Sequence, residues 1–209
     1  NFDGYTNDAE VKAGGWTIEN GSGYPDAAWR LFDTDGSMGQ LGNQDPNIAG
    51  MYDKYIISDS DLAPDATLDE RLISKEVDCT NYMKVRLNFS KNYRVYDDQA
   101  HTQTGEVDIQ VFDQGVWGNW INLFHWDRTL GVGTYSTPEQ VDIGTLADKK
   151  KIRVRWHFFD AKWDYWFATD QVRVSGEPLP TEAKITKVTP AAGKVTLVWT
   201  VFGTKQYTV

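Results

Sequence analysis

The 209-residue chain is 40% apolar, with nine Trp, ten Tyr, nine Phe and 18 Gly, and its formal net charge is −9. A surface of that sign, with no Lys/Arg cluster interleaved with aromatics, argues against nucleic acid and anionic membranes as partners. It suits solubility and Ca²⁺ capture. The single Cys79 permits no internal disulfide and no cysteine-based metal site, and reads as a small, partly buried residue. No apolar run approaches a membrane span and no signal peptide is evident. The chain begins at Asn1 rather than Met, so a processed product or fragment of a larger secreted or cell-surface protein is expected.

In chain order, residues 26–69 are rich in Gly, Asp, Asn and Ser around short apolar patches at Met51-Tyr52 and Tyr55-Ile56-Ile57. This predicts long, turn-rich loops around one or two short strands. Met83–Phe89, Glu106–Val111 and Lys151–Phe158 alternate apolar and polar residues, and each predicts a half-buried antiparallel strand with one solvated face. Trp117-Gly118-Asn119-Trp120 reads as a hairpin tip leading into a strand. In Trp163–Val174 period two puts Asp170 on the face of Val172 and Val174. If that face is the core, the carboxylate needs a cation, a metal or several N–H donors. No segment of eleven or more residues has a convincing helical period, so the chain reads as all-β. Two prolines in Gly176–Thr181 mark a stiff linker. The expected organisation is a β-sandwich over 1–176, a linker over 177–182 and a partial β segment over 183–209.

Several segments together carry a family resemblance: Asn1-Phe2-Asp3-Gly4, Gly15-Trp16-Thr17, Lys84–Phe89, Ile152–Phe158 and Trp166–Val172. They resemble the MAM-like jelly-roll modules, which include the cleaved-adhesin domains of bacterial surface proteases. Those modules typically end on an aromatic–x–x–Asp–Asp–Val strand, whereas this chain has Thr169-Asp170-Gln171-Val172. The resemblance implies a Ca²⁺ ion held between an acidic residue near the N-terminus and one on the last strand, here Asp3 and Asp170. Ca²⁺ takes about six to eight oxygens. Asp33 and Asp35, in Asp33-Thr34-Asp35-Gly36, are further carboxylates for that or a second site, although the run lacks the downstream Glu of an EF-hand loop. Asn20 and Asp98 are weaker candidates. Beyond the linker, Ala183–Thr189 and Lys194–Trp199 are similar to the opening of a fibronectin type III or immunoglobulin-like domain, with Trp199 in the position of that family's central Trp.

Aromatics are the second signal. Trp163 and Tyr165 precede the last strand and Trp117 sits on the hairpin. Exposed rings there would stack on sugar faces beside Asp or Asn; core or inter-domain packing is the alternative. The family resemblance assigns Trp120 to the sandwich core. Catalytic signals are thin. Glu106 and Asp108 share a strand face as in laminarinase-type glycosidases, but positions 110 and 111 are Gln and Val, so the second carboxylate of the pair is missing. His101, His125 and His157 have no zinc spacing, and no Gly-x-Ser-x-Gly or phosphate loop occurs. The expected function is a non-catalytic accessory module that attaches a larger exported protein to a glycan or cell surface, with structural Ca²⁺. The alternative is a structural or adhesive block of a surface layer or filament that binds other protein domains.

Overall fold

A computed structural model describes residues 2–33, 48, 50–63, 65–96, 103–179, 184–191 and 194–200. In chain order the strands are β1 (Thr17–Asn20), β2 (Arg30–Asp33), β3 (Lys54–Asp59), β4 (Asp69–Ile73), β5 (Val77–Asp78), β6 (Tyr82–Val95), β7 (Thr104–Asp113), β8 (Val116–Trp117), β9 (Ile121–Asp127), β10 (Gly133–Asp142), β11 (Lys151–Phe159), β12 (Trp166–Pro178), β13 (Lys184–Ala191) and β14 (Lys194–Thr200). One sheet runs β1-β4-β11-β7-β8, with β5 also on β11 and β9 also on β7; the second runs β10-β6-β12-β3-β2. All these pairings are antiparallel. Strands β13 and β14 form a separate antiparallel hairpin, with Ile185 opposite Trp199. No helix among the described residues is long and apolar enough to cross a membrane.

Among the described residues two short α-helices interrupt the all-β pattern, α1 (Asp8–Ala13) and α2 (Gly144–Ala147). Helix α1 was not visible as a period because it is only six residues long. Its start is set by capping: Asn7 Oδ1 accepts from the Glu10 amide, while Glu10 Oε2 accepts from the Thr6 amide at 2.7 Å.

The alternation read from the sequence places the core. Val85, Leu87, Phe89, Val107, Ile109, Ile152, Val154, Trp156 and Phe158 are all buried between the two sheets. Their centre is aromatic. Phe167 lies 5.3 Å from Trp29, 5.6 Å from Tyr93, 5.8 Å from Trp126 and 6.2 Å from Phe158, all edge-on. A second cluster lies on the other side of β12, where Phe32, Ile48, Met51, Tyr55, Ile57, Trp166 and Ala168 pack together. The loop-rich stretch thus contributes two strands and a cover over the outer face of its sheet.

At the far end, β12 runs on through Glu177 and Pro178, which pair with Met83 and Tyr82 on β6. The first two residues of the expected linker are therefore strand. Truncating Phe167 removes a ring shared by four aromatic neighbours, so Phe167→Ala is expected to cost about 3–5 kcal/mol, measurable from denaturant midpoints.

Candidate functional site

The solvent-facing side of the β1-β4-β11-β7-β9 sheet carries a ladder of polar and aromatic side chains. Because β11 alternates strictly, Lys151, Arg153, Arg155, His157 and Phe159 project away from the core. Strand register then sets their neighbours. One rung runs Glu19–Arg71–His157–Glu106–His125 across five strands, and the next runs Thr17–Ile73–Arg155–Asp108–Asn122. A bulge in β9 at Leu123, between the Val107 and Asp108 pairings, brings Asn122 rather than Leu123 opposite Asp108.

The second rung holds the most constrained group. Asp108 is only 2% exposed. Its Oδ2 accepts from Arg155 Nε at 3.0 Å and Nη2 at 2.8 Å, and its Oδ1 accepts from Asn122 Nδ2 at 3.0 Å. The Trp120 ring centre lies 4.7 Å from the Arg155 guanidinium carbon. Nearby, Arg153 lies 4.0 Å over the Trp117 ring and donates through Nη2 to Gln110 Oε1 at 2.9 Å. Gln110 in turn donates to the Gly118 carbonyl at 2.8 Å. The two indoles are thus each fixed to a guanidinium, and each guanidinium to an oxygen of β7. Trp120, which the family resemblance places in the core, is partly exposed on this outer face. It shares the side of Asn122, away from Phe124 and Trp126.

At the opposite end of β11 two histidines behave differently. His125, 50% exposed at its side chain, lies 3.0 Å from Glu106 and 3.4 Å from Asp127. The hydrogen bond to Glu106 holds its pKa above the ordinary value, against a smaller effect of burial. His157 lies under Phe159, with ring centres 4.3 Å apart, and its Nε2 is 2.7 Å from Asp69. Burial pushes its pKa down despite Asp69, with the Arg155 and Arg71 charges adding to the fall. A neutral His157 donating to an ionised Asp69 satisfies both groups. Burial opposes ionisation of Asp69, but His157 and Arg71 hold its carboxyl below the usual range.

The sequence-predicted residues fall in three places. Trp117 belongs to the face just described. Trp163 and Tyr165 lie on the β11–β12 connection, which leaves β11 by the end opposite Lys151 and Trp117, so the three do not form one platform. Trp163 is 47% exposed, and both it and Tyr165 have left-handed φ, +59° and +69°. Buried Asp164 and Ser60 anchor the connection: Asp164 accepts from the Lys162 amide, and its own amide donates to Ser60 Oγ. Tyr165 packs beside Trp166 under the Arg94 guanidinium, 3.8 Å from its ring centre, with Tyr96 edge-on at 5.2 Å.

Asp170 is buried, but not in the sandwich core. A bulge at Asp170–Gln171, where Gln171 has φ +52°, shifts the pairing with β6 and reverses the side-chain alternation. Val172 and Val174 therefore pack on the core, while Asp170 shares the outer side of Trp166 and Ala168. Its carboxylate accepts from the Tyr52 and Gln171 amides. Burial pushes its pKa up, and the Asp3 charge adds to the rise, so these two carboxylates are electrostatic neighbours. Asp3 also accepts from the Lys54 amide, and buried Asp33 lies opposite Lys54 in β2–β3. Asn20 closes a turn, accepting from Ser22 Oγ and the Gly23 amide. Asp35, Asp98 and His101 lie outside the described residues. Among the described residues no group of three or more His, Cys, Asp or Glu side chains is arranged to hold a metal ion. Asp3 and Asp170 are two carboxylates, short of the about six to eight oxygens that Ca²⁺ takes.

The histidine environments predict opposite titrations. In a two-dimensional NMR titration His125 is expected to titrate above 6.5 and His157 below it. Glu106→Gln is expected to bring His125 down by more than it moves His157. Because the folded pKa of His125 is raised, its stabilising contribution is complete below the unfolded pKa and is lost as pH rises through the folded value.

No family model matches the chain, and no curated protein matches it. Solved structures do. The K1 cleaved adhesin domain of Lys-gingipain from Porphyromonas gingivalis W83 is similar over 78% of this chain and 91% of that one, with 18% identity and a TM-score of 0.50. The carbohydrate-binding module TmCBM61, solved in complex with β-1,4-galactotriose, covers 80% and 94% at 12% identity, with a TM-score of 0.49. The K2 domain of Lys-gingipain covers 77% and 88% at 17% identity, with a TM-score of 0.48. Two packed antiparallel sheets, shared with the K1 domain, make this chain a β-sandwich.

Proposed function

We propose that the chain is a non-catalytic binding module of a secreted or surface protein, and that it holds a glycan chain along the outer face of the β1-β4-β11-β7-β9 sheet. The observation that carries this reading is the pairing of Trp117 with Arg153–Gln110 and of Trp120 with Arg155–Asp108–Asn122. Sugar rings offer apolar C–H faces and a rim of hydroxyls. Indole rings supply stacking area for the former, and guanidinium, amide and carboxylate groups supply partners for the latter. Here those groups are held by one another before any ligand arrives, which lowers the ordering cost of binding. The same bonds occupy the carboxylates that would otherwise suggest glycosidase chemistry: Asp108 is committed to Arg155 and Asn122, and Glu106 to His125. The K1 likeness supports the fold on which this reading rests.

A Ca²⁺ ion bound by Asp3 and Asp170 is the structural part of the proposal. What supports it is a buried carboxylate whose pKa is raised both by burial and by its acidic neighbour, a repulsion that a divalent cation would relieve. The ion would tie the N-terminal segment to β12 and stabilise the folded state by mass action.

Two measurements test these parts separately. In a glycan array followed by titration calorimetry, Trp120→Ala is expected to weaken binding about tenfold, from the loss of stacking worth about 0.5–1.5 kcal/mol beyond its area. A folded protein that binds no glycan would move the assignment to the adhesive, protein-binding alternative. In calorimetric melts, adding Ca²⁺ to chelator-treated protein is expected to raise Tm, and Asp170→Asn to abolish the rise. An unchanged Tm, with no metal by elemental analysis, would remove the ion from the account.

A further inference from the structure

With one exception, the cationic groups of this face stand against carboxylates. Arg71 meets Glu19 and Asp69, Arg155 meets Asp108, and Lys151 meets Glu76. His125 lies between Glu106 and Asp127, and His157 lies against Asp69. Arg153 differs. Its Nη2 donates to the neutral amide oxygen of Gln110 and its guanidinium is covered by the Trp117 ring, while its buried Nε is closed to solvent and leaves the Nη groups to meet a ligand. Among the described residues no carboxylate forms an ion pair with it.

We propose that Arg153 is the recognition point for an anionic group on the bound glycan, a uronate carboxylate or a sulfate ester, with Lys151 as a second contact. This deepens the glycan reading above and rests on it. A permanently charged guanidinium held against an indole has lost part of its hydration. A neutral hydroxyl would accept from its N–H groups but leave the charge uncompensated, whereas a planar oxyanion answers both, through charge-assisted and paired hydrogen bonds. Gln110, itself pinned to the Gly118 carbonyl, fixes one edge of the guanidinium through Nη2.

Lys151 lies two residues away on the same face of β11, about 7 Å along the strand. Its pair with Glu76 is exposed, 37% and 46% at the two side chains. Such a pair holds Lys151 only weakly, so the ammonium is available to a ligand anion. The overall charge of −9 does not prevent this, because charges farther than about 8 Å are largely screened at physiological ionic strength.

The test is affinity electrophoresis and calorimetry on the full chain with four polymers: polygalacturonate, its methyl ester, dextran sulfate and dextran. At least one charged polymer is expected to bind about tenfold more tightly than its uncharged counterpart, the scale of a hydrogen bond to a charged group, with the preference shrinking at high salt. Arg153→Gln should remove the preference, Arg153→Lys should retain part of it, and Trp120→Ala should weaken charged and neutral ligands alike. Far-ultraviolet circular dichroism and thermal melts of each variant exclude misfolding as the cause. Equal affinity for charged and uncharged polymers, or an equal loss for both in Arg153→Gln, would overturn the inference and leave the glycan reading standing. A folded chain that binds none of the four, nor any array glycan, would overturn both.

Discussion

Everything on the proposed binding face depends on the unbroken alternation of β11. This strand pairs with β4, β5 and β7 at once, and its nine residues alternate buried and partly exposed without a bulge. Slipping it by one residue would exchange Ile152, Val154, Trp156 and Phe158 for Arg153, Arg155 and His157 between core and solvent. The apolar set is locked by aromatic packing: Trp156 lies 5.7 Å from Phe89 on the facing sheet and 6.0 Å from Trp16. The register that builds the core is therefore the register that aligns Arg153 with Gln110 and Arg155 with Asp108.

The parts of this fold governed by local period were legible in the sequence, and the parts governed by exceptions to it were not. The strands at 83–89, 106–111 and 151–158 follow directly from alternation, as does the burial of their apolar residues. Period two puts Asp170 on the face of Val172 and Val174, but one extra residue at the Gln171 bulge inverts the pattern between Ala168 and Val172 and leaves Asp170 buried on the outer side of its sheet. Helix α1 is too short to show a period and depends instead on the Asn7–Glu10 cap.

The polar outer face of the β1-β4-β11-β7-β9 sheet is only half legible in the sequence. Glu106 and Asp108 were seen to share a strand side, and Arg153, Arg155 and His157 another. That these two rows lie opposite one another is a fact of pairing between segments more than 40 residues apart, which no local pattern encodes. Trp120 shows the same limit from the other direction. The family resemblance places Trp120 in the core, and only the β9 bulge and the Arg155 stack place it outside. The signal the sequence does carry is the period-two placement of Arg153 and Arg155 on the solvated side of the strand.

The order in which the strands are joined also limits how fast the chain reaches this state. Strand β12 sits between β6 and β3, so Phe167 pairs with Tyr93 and Ser58, more than 70 and 100 residues earlier in the chain. Until β12 arrives, β3 and β6 have no partner between them, and Tyr93, Trp29 and Phe158 lack the ring that joins them. A topology closed by such distant contacts folds on the millisecond-to-second scale of sandwich domains rather than that of helical bundles. During that interval the unpaired edges of β3 and β6 are open to pairing with other chains, so the step that completes the core also closes those two edges.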